Sequence, residues 1–178
     1  CHTAISDAEV EYKEEASHLW HLRYKIKGEN RYVEVATTRP ETMLGDTAVA
    51  VNPEDKRYTD IVGKTCIVPI VNREIPIIAD EFVETEFGTG CVKITPAHDP
   101  NDYQAGLKHK LEFIEVFDDK TIMGDLMPEV KGMKAIEARK IIVKKLEELG
   151  ALVSIEDYTH NVGKCERCKT TIEPRISE

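Results

Sequence analysis

The residues whose side chains could bind a ligand or catalyse a reaction form two short polar clusters within an otherwise apolar pattern. The first cluster, residues 37–42, reads Thr-Thr-Arg-Pro-Glu-Thr and directly follows a predicted strand. Thr37 and Thr38 can cap a short helix, which would direct backbone N–H groups and the Arg39 guanidinium at an anion or a ribose. Because capping boxes are common, the same residues also fit a capped surface turn in which Arg39 pairs with Glu41.

The second cluster lies where a predicted strand gives way to a predicted helix. Its members, in chain order, are Lys93, Thr95, His98, Asp99 and Asp102. Carboxylates there can hold a substrate ammonium, and hydroxyls beside a lysine can match a small polar side chain. A purely structural interpretation also exists, in which Asp99 caps a helix, Asp102 favours the helix dipole and His98 lies on the surface.

Several classes of enzyme are disfavoured by missing motifs. The chain has no G-x-S-x-G elbow, no H-E-x-x-H and no phosphate-binding loop. Cys91 stands in an apolar strand pattern and is expected to pack in the core rather than act as a nucleophile. Gly88-Thr89-Gly90 is too short for a dinucleotide fingerprint and is expected to form a tight turn or to allow close approach.

Composition indicates a folded domain outside the membrane. The 178 residues are 41% hydrophobic and 32% charged, and no apolar run approaches the roughly 18 residues that cross a bilayer. The net charge of −9 argues against a free-standing nucleic-acid binder, although a site could still contact the tip of an RNA held by another domain. Because the chain lacks a secretory signal and an initiating Met, we expect a segment of a longer cytoplasmic protein.

The predicted fold class is α+β and mostly β, a curved sheet or β-barrel flanked by a few helices. Alternating apolar residues and turn residues between them indicate many short strands. The predicted strands are residues 18–26, 31–36, 47–51, 65–71, 75–78, 91–94, 113–117 and 152–155. Asp99-Pro100 predicts the start of one helix, and a second is predicted over residues 134–149, with Leu149 on its apolar face and Gly150 ending it.

Three stretches together resemble the editing insertion of valyl-tRNA synthetases over nearly the whole chain. They are residues 1–11 (CHTAISDAEVE), residues 35–53 (VATTRPETMLGDTAVAVNP) and residues 88–102 (GTGCVKITPAHDPND). Leucyl and isoleucyl enzymes carry related insertions, but Glu41 and the run 46–53 favour the valyl pattern, with the leucyl type as the nearest alternative. The ATP-binding signatures of the synthetases are absent, so the chain is not expected to activate amino acids.

The resemblance implies hydrolysis of the ester of threonine mischarged onto tRNA(Val). It assigns the substrate's α-ammonium to Asp102 and its hydroxyl to Lys93 and Thr95, with Asp99 nearby. It also implies a substrate-binding set that consists of Thr37, Thr38, Arg39, Phe87 and His98. The implied partners are the acceptor end of tRNA(Val) and the remainder of the synthetase, and the reaction itself needs no cofactor.

The five cysteines suggest two different roles. Cys66 and Cys91 lie in apolar runs and are expected in the core. Cys165 and Cys168 form a C-x-x-C, and the resemblance implies that they could join Cys1 in a structural zinc site of the full-length enzyme. The expected organisation is a stem at residues 1–15, the editing domain at 16–157 and a second stem at 158–178. A non-catalytic zinc or RNA-docking module is the alternative from another functional class.

Overall fold

The computed structural model describes the backbone of residues 10–165 and the side chains of residues 17–159. Seven strands, two α-helices and two short 3-10 helices occur in that part of the chain. The strands are β1 (Val10–Ile26), β2 (Tyr32–Thr37), β3 (Ala48–Val51), β4 (Thr65–Ile67), β5 (Glu74–Ala79), β6 (Cys91–Ile94) and β7 (Leu152–Cys165). The helices are the 3-10 segments Pro40–Gly45 and Pro128–Val130, α1 (Pro100–Lys108) and α2 (Ala135–Glu148).

The strands form a strongly curved sheet in the order β2-β1-β4-β5-β3-β6, with β7 also paired to β1. Most neighbours are antiparallel, but β3 and β5 run parallel. The two edge strands, β2 and β6, lie close together: the Thr89 hydroxyl, just before β6, donates a hydrogen bond to the Glu34 carbonyl of β2. The sheet is therefore nearly closed, which confirms the predicted mostly-β, barrel-like α+β fold.

Alternation along β1 and β2 builds one wall of the core. Leu22, Tyr24 and Ile26 of β1 are completely buried, and they share the interior with Val33 and Val35 of β2. These two strands form the predicted hairpin around the turn at residues 28–30, with Tyr24 opposite Val33. Residues at alternate positions point to opposite faces of the sheet, so the intervening side chains are left more exposed.

Strand β3 separates two apolar layers. All four of its residues, Ala-Val-Ala-Val, are completely buried. Val49 and Val51 face the main core, whereas Ala48 and Ala50 face a smaller cluster that includes Ile94 of β6 and Ala105 of α1. The small alanine side chains let α1 pack closely on the sheet.

Helix α1 begins where the sequence predicts, and the bounds of α2 lie within one residue of the predicted 134–149. The Asp99 side chain accepts hydrogen bonds from the Asn101 and Asp102 backbone N–H groups, so it caps α1, and Pro100 follows at the first helical position. Helix α2 ends before Gly150, whose φ of +72° is a left-handed conformation that favours glycine. The predicted apolar face of α2 is wrong at Leu149, which is exposed because it lies beyond the last helical residue.

Four of the predicted strands differ from the structure. The strand predicted over 18–26 begins earlier, at Val10, and the strand predicted over 152–155 continues to Cys165. Residues 113–117 do not form a strand, because the Val116 N–H donates to the His98 ring and the Val116 carbonyl accepts from Gly124. The strand predicted over 65–71 ends at Ile67, and the chain then turns through Ile70 and Asn72 with φ values of +70° and +55°. Within this turn the Val71 N–H donates to the Pro69 carbonyl.

The two predicted domain boundaries fall inside the paired strands β1 and β7. Their register runs without a break from Val10 opposite Cys165 to His21 opposite Ser154, with an irregularity before Leu22. The proposed zinc ligands Cys1 and Cys168, and the side chain of Cys165, lie outside the described residues, so the stems and the metal site remain predictions. None of the helices in the described part is long and apolar enough to cross a membrane.

Gly45 ends the first 3-10 helix where no side chain fits. A Cβ atom at this position would lie 2.6 Å from Val116 Cγ2 and 2.8 Å from the Ile114 carbonyl oxygen. The absence of a side chain therefore lets the segment 114–116 lie directly on the 3-10 helix.

We expect Gly45→Ala to lower the free energy of unfolding by about 1–3 kcal/mol, the usual cost of overpacking a dense interior. Gly124→Ala is the matched control, because its Cβ would meet only the Val116 carbonyl oxygen at an ordinary 3.6 Å. Urea denaturation of both variants measures the difference. Equal stabilities would show that the close approach at Gly45 is not a packing constraint.

Candidate functional site

One pocket brings together nearly all of the polar residues singled out in the sequence. It has a volume of about 160 Å³, which suits a small group rather than a drug-sized molecule. It is lined by Ala36, Thr37, Thr38, Arg39, Thr42, Val92, Lys93, Thr95, His98, Asp99 and Asp102. The two clusters, about 55 residues apart in sequence, thus form the two sides of a single cavity.

The first side of the pocket rests on a deeply anchored 3-10 helix. All six of its residues, Pro40–Gly45, are buried. Glu41 is completely buried and accepts two hydrogen bonds from Arg139 of α2, at 2.8 and 2.9 Å. The interpretation of Arg39 and Glu41 as a surface pair is therefore wrong, because Glu41 points into the protein and binds a different arginine.

The threonines do not cap this helix as the sequence suggested. Arg39 occupies the N-cap position, and no side chain caps the helix. Instead, Thr37 Oγ1 accepts a hydrogen bond from the Arg39 N–H, and the Thr42 hydroxyl donates back to the Arg39 carbonyl at 2.9 Å. The Arg39 Nη1 donates to the His98 carbonyl, which ties the first side of the pocket to the second.

Lys93 is the centre of a buried hydrogen-bond network. Only 7% of the residue is exposed. Its ammonium lies 2.9 Å from Thr42 Oγ1, 2.5 Å from Thr95 Oγ1 and 2.9 Å from Asp46 Oδ1. An ammonium has three protons, so three protein acceptors can satisfy it completely. This explains how a charged side chain is tolerated in the otherwise apolar strand β6.

Asp46 is the counter-charge of Lys93 and is completely buried. It accepts hydrogen bonds from the Tyr24 hydroxyl at 2.6 Å and from the Thr95 hydroxyl at 2.7 Å. Burial raises the pKa of the Asp46 carboxyl, while Lys93, Tyr24 and Thr95 act in the opposite direction. Three donors converge on its two oxygens, an arrangement that suits the ionised form, which can only accept.

The acidity of Asp102 is strongly perturbed. Its Oδ2 accepts a hydrogen bond from the Thr95 N–H at 2.8 Å, and only 8% of the residue is exposed. Burial, and then the negative charge of Asp99, raise the pKa of Asp102 to about 7. A cation that enters beside a carboxyl group with a raised pKa stabilises its ionised form, so binding of the cation is favourable.

Asp99 and His98 have structural roles in addition to lining the pocket. Asp99 caps α1, as the structural interpretation predicted. His98 is completely buried rather than on the surface, and its ring stacks on Phe117 with centroids 4.1 Å apart. Because His98 Nε2 accepts from the Val116 N–H, this nitrogen carries no proton and is engaged within the protein.

Phe87 is the predicted site residue that the structure does not place in the pocket lining. It is 46% exposed and packs edge-on against Tyr158 with ring centroids 6.3 Å apart. Its role as an apolar wall remains a prediction. Cys66 and Cys91 lie in the core, as predicted, and burial raises the pKa of the Cys91 thiol to about 11, which disfavours a nucleophilic thiolate.

Sequence reasoning assigned no role in this network to three residues: Tyr24, Asp46 and Thr42, of which only Thr42 belongs to the first polar cluster. Asp46 could have been found by the argument that identified Lys93, because it is an acidic residue between apolar stretches at 43–44 and 48–51. Tyr24 gave no such signal, since a tyrosine in an alternating strand is ordinary. Among the described residues, no group of three or more His, Cys, Asp and Glu side chains is arranged to hold a metal ion.

Comparisons with known proteins point to one family. A family model described as the leucyl-tRNA synthetase editing domain matches residues 55–140. The chain is 57% identical, over its whole length, to a segment of the valine--tRNA ligase of Thermotoga maritima. It is 56% identical to the corresponding ligase of Geobacter sulfurreducens over 99% of this chain. The chain spans about a fifth of the length of these relatives.

A solved structure shares the fold. It is the ternary complex of the Agrobacterium radiobacter K84 agnB2 LeuRS with tRNA and LeuAMS, with a TM-score of 0.58 and 18% identity. The similarity covers 93% of this chain and 24% of that chain. At this level of identity the likeness establishes the fold, while the whole-chain matches to valine--tRNA ligases distinguish the valyl from the leucyl branch.

The raised pKa of Asp102 predicts how stability depends on pH. Between the ordinary value of 3.8 and about 7, the folded protein retains a proton that the unfolded chain has lost. This group therefore makes the free energy of unfolding fall as pH rises through that window, by up to about 1.4 kcal/mol per pH unit. We expect Asp102→Asn to remove this fall in the free energy of unfolding. Relative to the parent, the variant should therefore be more stable at pH 8 than at pH 4.

Denaturation at several pH values between about 4 and 8 checks this expectation. Asp99→Asn is the matched control, because asparagine also caps helices and the Asp102 carboxyl is kept. The control should retain a decline, over a narrower window, since one charge that raises the pKa of Asp102 is gone. Parallel pH dependence in the parent and in Asp102→Asn would contradict the assignment.

Proposed function

Because the chain belongs to the editing-domain family of aminoacyl-tRNA synthetases, we propose that it hydrolyses the ester of threonyl-tRNA(Val) within a valine--tRNA ligase. The observation that carries the proposal is a buried ammonium, Lys93, which lines a pocket of about 160 Å³ and is held by two threonine hydroxyls and the Asp46 carboxylate. Such a pocket suits the aminoacyl group of a charged tRNA, and its polarity suits an amino acid with a side-chain hydroxyl.

The physical need for such a site follows from the similarity of valine and threonine. A hydrophobic synthetic pocket rejects an isostere that adds a hydroxyl only about a hundredfold, the value known for valyl-tRNA synthetases themselves. A second site that hydrogen-bonds the hydroxyl can reject valine more strongly, because a methyl group would leave buried polar atoms unpaired. Lys93, Thr95 and Asp102 are all more than nine-tenths buried, as this mechanism requires.

The roles of the residues follow from their chemistry. The Asp102 carboxyl is suited to the α-ammonium, because the incoming cation stabilises its ionised form. Thr95 and Lys93 lie where they can surround the substrate hydroxyl, with the capping residue Asp99 at the edge of the pocket. Arg39, Thr37 and Thr38 form the opposite side, which supports a role for them in holding the ribose or the reacting ester.

Hydrolysis needs no covalent intermediate with the protein. An aminoacyl ester is already activated, so a positioned water can add its oxygen to the carbonyl carbon. The bond between that carbon and the ribose oxygen then breaks, and the ribose hydroxyl leaves with a proton from the water. The pocket lining contains no serine or cysteine. The Thr42 hydroxyl donates to the Arg39 carbonyl, which cannot take up its proton, and the Thr95 hydroxyl donates to Asp46, whose charge is already neutralised by Lys93 and which also accepts from Tyr24.

The proposed partners are the acceptor end of tRNA(Val) and the remainder of the synthetase. A net charge of −9 gives this chain little electrostatic affinity for a phosphate backbone. The size of the pocket also suits the charged end of a tRNA rather than a longer stretch of RNA. We therefore propose that the rest of the enzyme holds the tRNA and delivers only its charged end here.

The test uses a full-length valine--tRNA ligase in which this chain replaces the matching segment. We expect Lys93→Ala and Asp102→Ala each to slow deacylation of threonyl-tRNA(Val) on the order of 100-fold, the usual cost of removing one preorganised polar group. Aminoacylation with valine should be unchanged, because the synthetic site lies elsewhere. Release of threonine from mischarged tRNA is the measurement.

Lys140→Ala and Asp119→Ala are matched controls, since both side chains are exposed and outside the pocket. They should deacylate at the parent rate. Parent-like deacylation by Lys93→Ala and Asp102→Ala would refute the proposed site. A parent enzyme that releases no threonine would instead favour a docking module without catalytic activity.

A further inference from the structure

A second layer of polar residues lies beneath the pocket and does not line it. It consists of Tyr24 in β1 and Asp46, which directly follows the 3-10 helix, and both are completely buried. Arg73 holds the backbone here, because its Nη1 donates to the Leu44 and Asp46 carbonyls at 2.9 and 3.0 Å. The Asp46 side chain is thus held firmly against the underside of the pocket.

The hydrogen positions in this layer follow from counting donors and acceptors. Thr95 has one hydroxyl proton, which it donates to Asp46 Oδ1 at 2.7 Å, while its oxygen accepts from Lys93. The Thr42 hydroxyl likewise donates to the Arg39 carbonyl and accepts from Lys93. A hydroxyl oxygen has two lone pairs, so each threonine has one lone pair and no proton left for a ligand.

We propose that Asp46 is a positioning residue that determines which groups in the pocket donate and which accept hydrogen bonds. It leaves Thr42 and Thr95 as acceptors for the proton of the substrate's side-chain alcohol. Asp46 achieves this by taking the Thr95 proton and by pairing with Lys93, whose ammonium orients both threonine oxygens. The inference rests on the proposed function and deepens it. A valine methyl group has no proton to donate, so it would leave these acceptors desolvated and unpaired.

Tyr24 supports the same arrangement from the far side. Its hydroxyl donates to Asp46 Oδ2, which leaves Oδ1 for Thr95 and Lys93. Tyr24→Phe removes this single hydrogen bond and keeps the carboxylate and the packed ring. Its effect on discrimination should have the same sign as that of Asp46→Asn and be smaller.

The network also has a reporter that requires no catalysis. The charged groups that face Asp102 are Asp99 at the start of its own helix, Lys93 on β6, Asp46 below the pocket and Arg39 across it. Asp46→Asn removes a negative charge and leaves the Lys93 ammonium without its counter-charge. Both changes favour ionised Asp102, so its pKa should fall.

The decisive experiment compares deacylation of threonyl-tRNA(Val) and valyl-tRNA(Val) by the full-length ligase that carries this chain. We expect Asp46→Asn to lower the ratio of the two kcat/KM values about tenfold or more, because the neutral amide keeps only one acceptor oxygen and has no charge to pair with Lys93. Carbon NMR of the Asp102 carboxyl in the 178-residue chain should show a titration midpoint at lower pH than in the parent.

Asp80→Asn is the matched control, because it neutralises another buried carboxylate, which pairs with His109 and does not line the pocket. Its thermal unfolding temperature should fall, while the threonine-to-valine ratio and the Asp102 midpoint stay at the parent values. This separates a loss of general stability from a loss of the proposed polarity.

A folded Asp46→Asn variant with the parent ratio and the parent midpoint would overturn the inference and leave the proposed function intact. Should Asp46→Asn fail to fold, Tyr24→Phe decides: a reduced ratio supports the inference, and an unchanged ratio overturns it. A parent enzyme that deacylates neither substrate overturns the proposed function, and the NMR midpoint then reports separately on whether Asp46 controls the network.

Discussion

The polar site depends on one buried ion pair, formed by Lys93 and Asp46. Neither charge would be tolerated alone in this interior, since an unpaired buried ion costs several kcal/mol. Together they are satisfied by the hydroxyls of Tyr24, Thr42 and Thr95, which come from β1, the 3-10 helix and the turn after β6. The ion pair therefore fixes both the charge of the pocket and the relative positions of the three segments that form it.

The curved sheet brings these segments together. Strand β3 lies between β5 and β6, and the 3-10 helix immediately before it passes beneath the end of β6. The second anchor is the completely buried Glu41, which binds Arg139 of α2 and so attaches the helix to the opposite side of the fold. With anchors on both sides, the pocket residues have little freedom to relax around a substrate of the wrong shape or polarity.

The pocket combines preorganised polar groups with one carboxyl, Asp102, whose negative charge is unfavourable until a substrate ammonium binds beside it. Asp102 is held at a pKa of about 7 by burial and by Asp99, so ionising it costs free energy in the empty pocket. An ammonium entering beside it would recover that free energy. Lys93, whose three protons are all donated within the protein, instead defines the shape of the site. A preorganised hydrogen-bond network and a carboxyl group that a bound cation would stabilise suit a site that selects amino acids by their polar atoms.

Several features followed from the sequence alone because they depend on local rules. The periodicity of residues 18–36 predicted the hairpin, Asp99-Pro100 predicted the start of α1, and the motifs around Arg39 and Lys93 indicated the family. The segment 113–117 failed as a strand because its backbone bonds to the His98 ring, a partner that periodicity cannot reveal. The same limit applies to Glu41, whose real partner, Arg139, lies 98 residues away.

The sequence by itself determined which residue types the site contains, because a polar residue in an apolar stretch is costly to bury unless it has a polar partner. Only the tertiary structure decided which of them meet. It placed Asp46 against Lys93, added Tyr24 from β1 and directed the Thr95 proton inward. It also left Phe87 half-exposed beside Tyr158. Contacts between distant segments depend on the curvature and register of the whole sheet, and no local pattern encodes these.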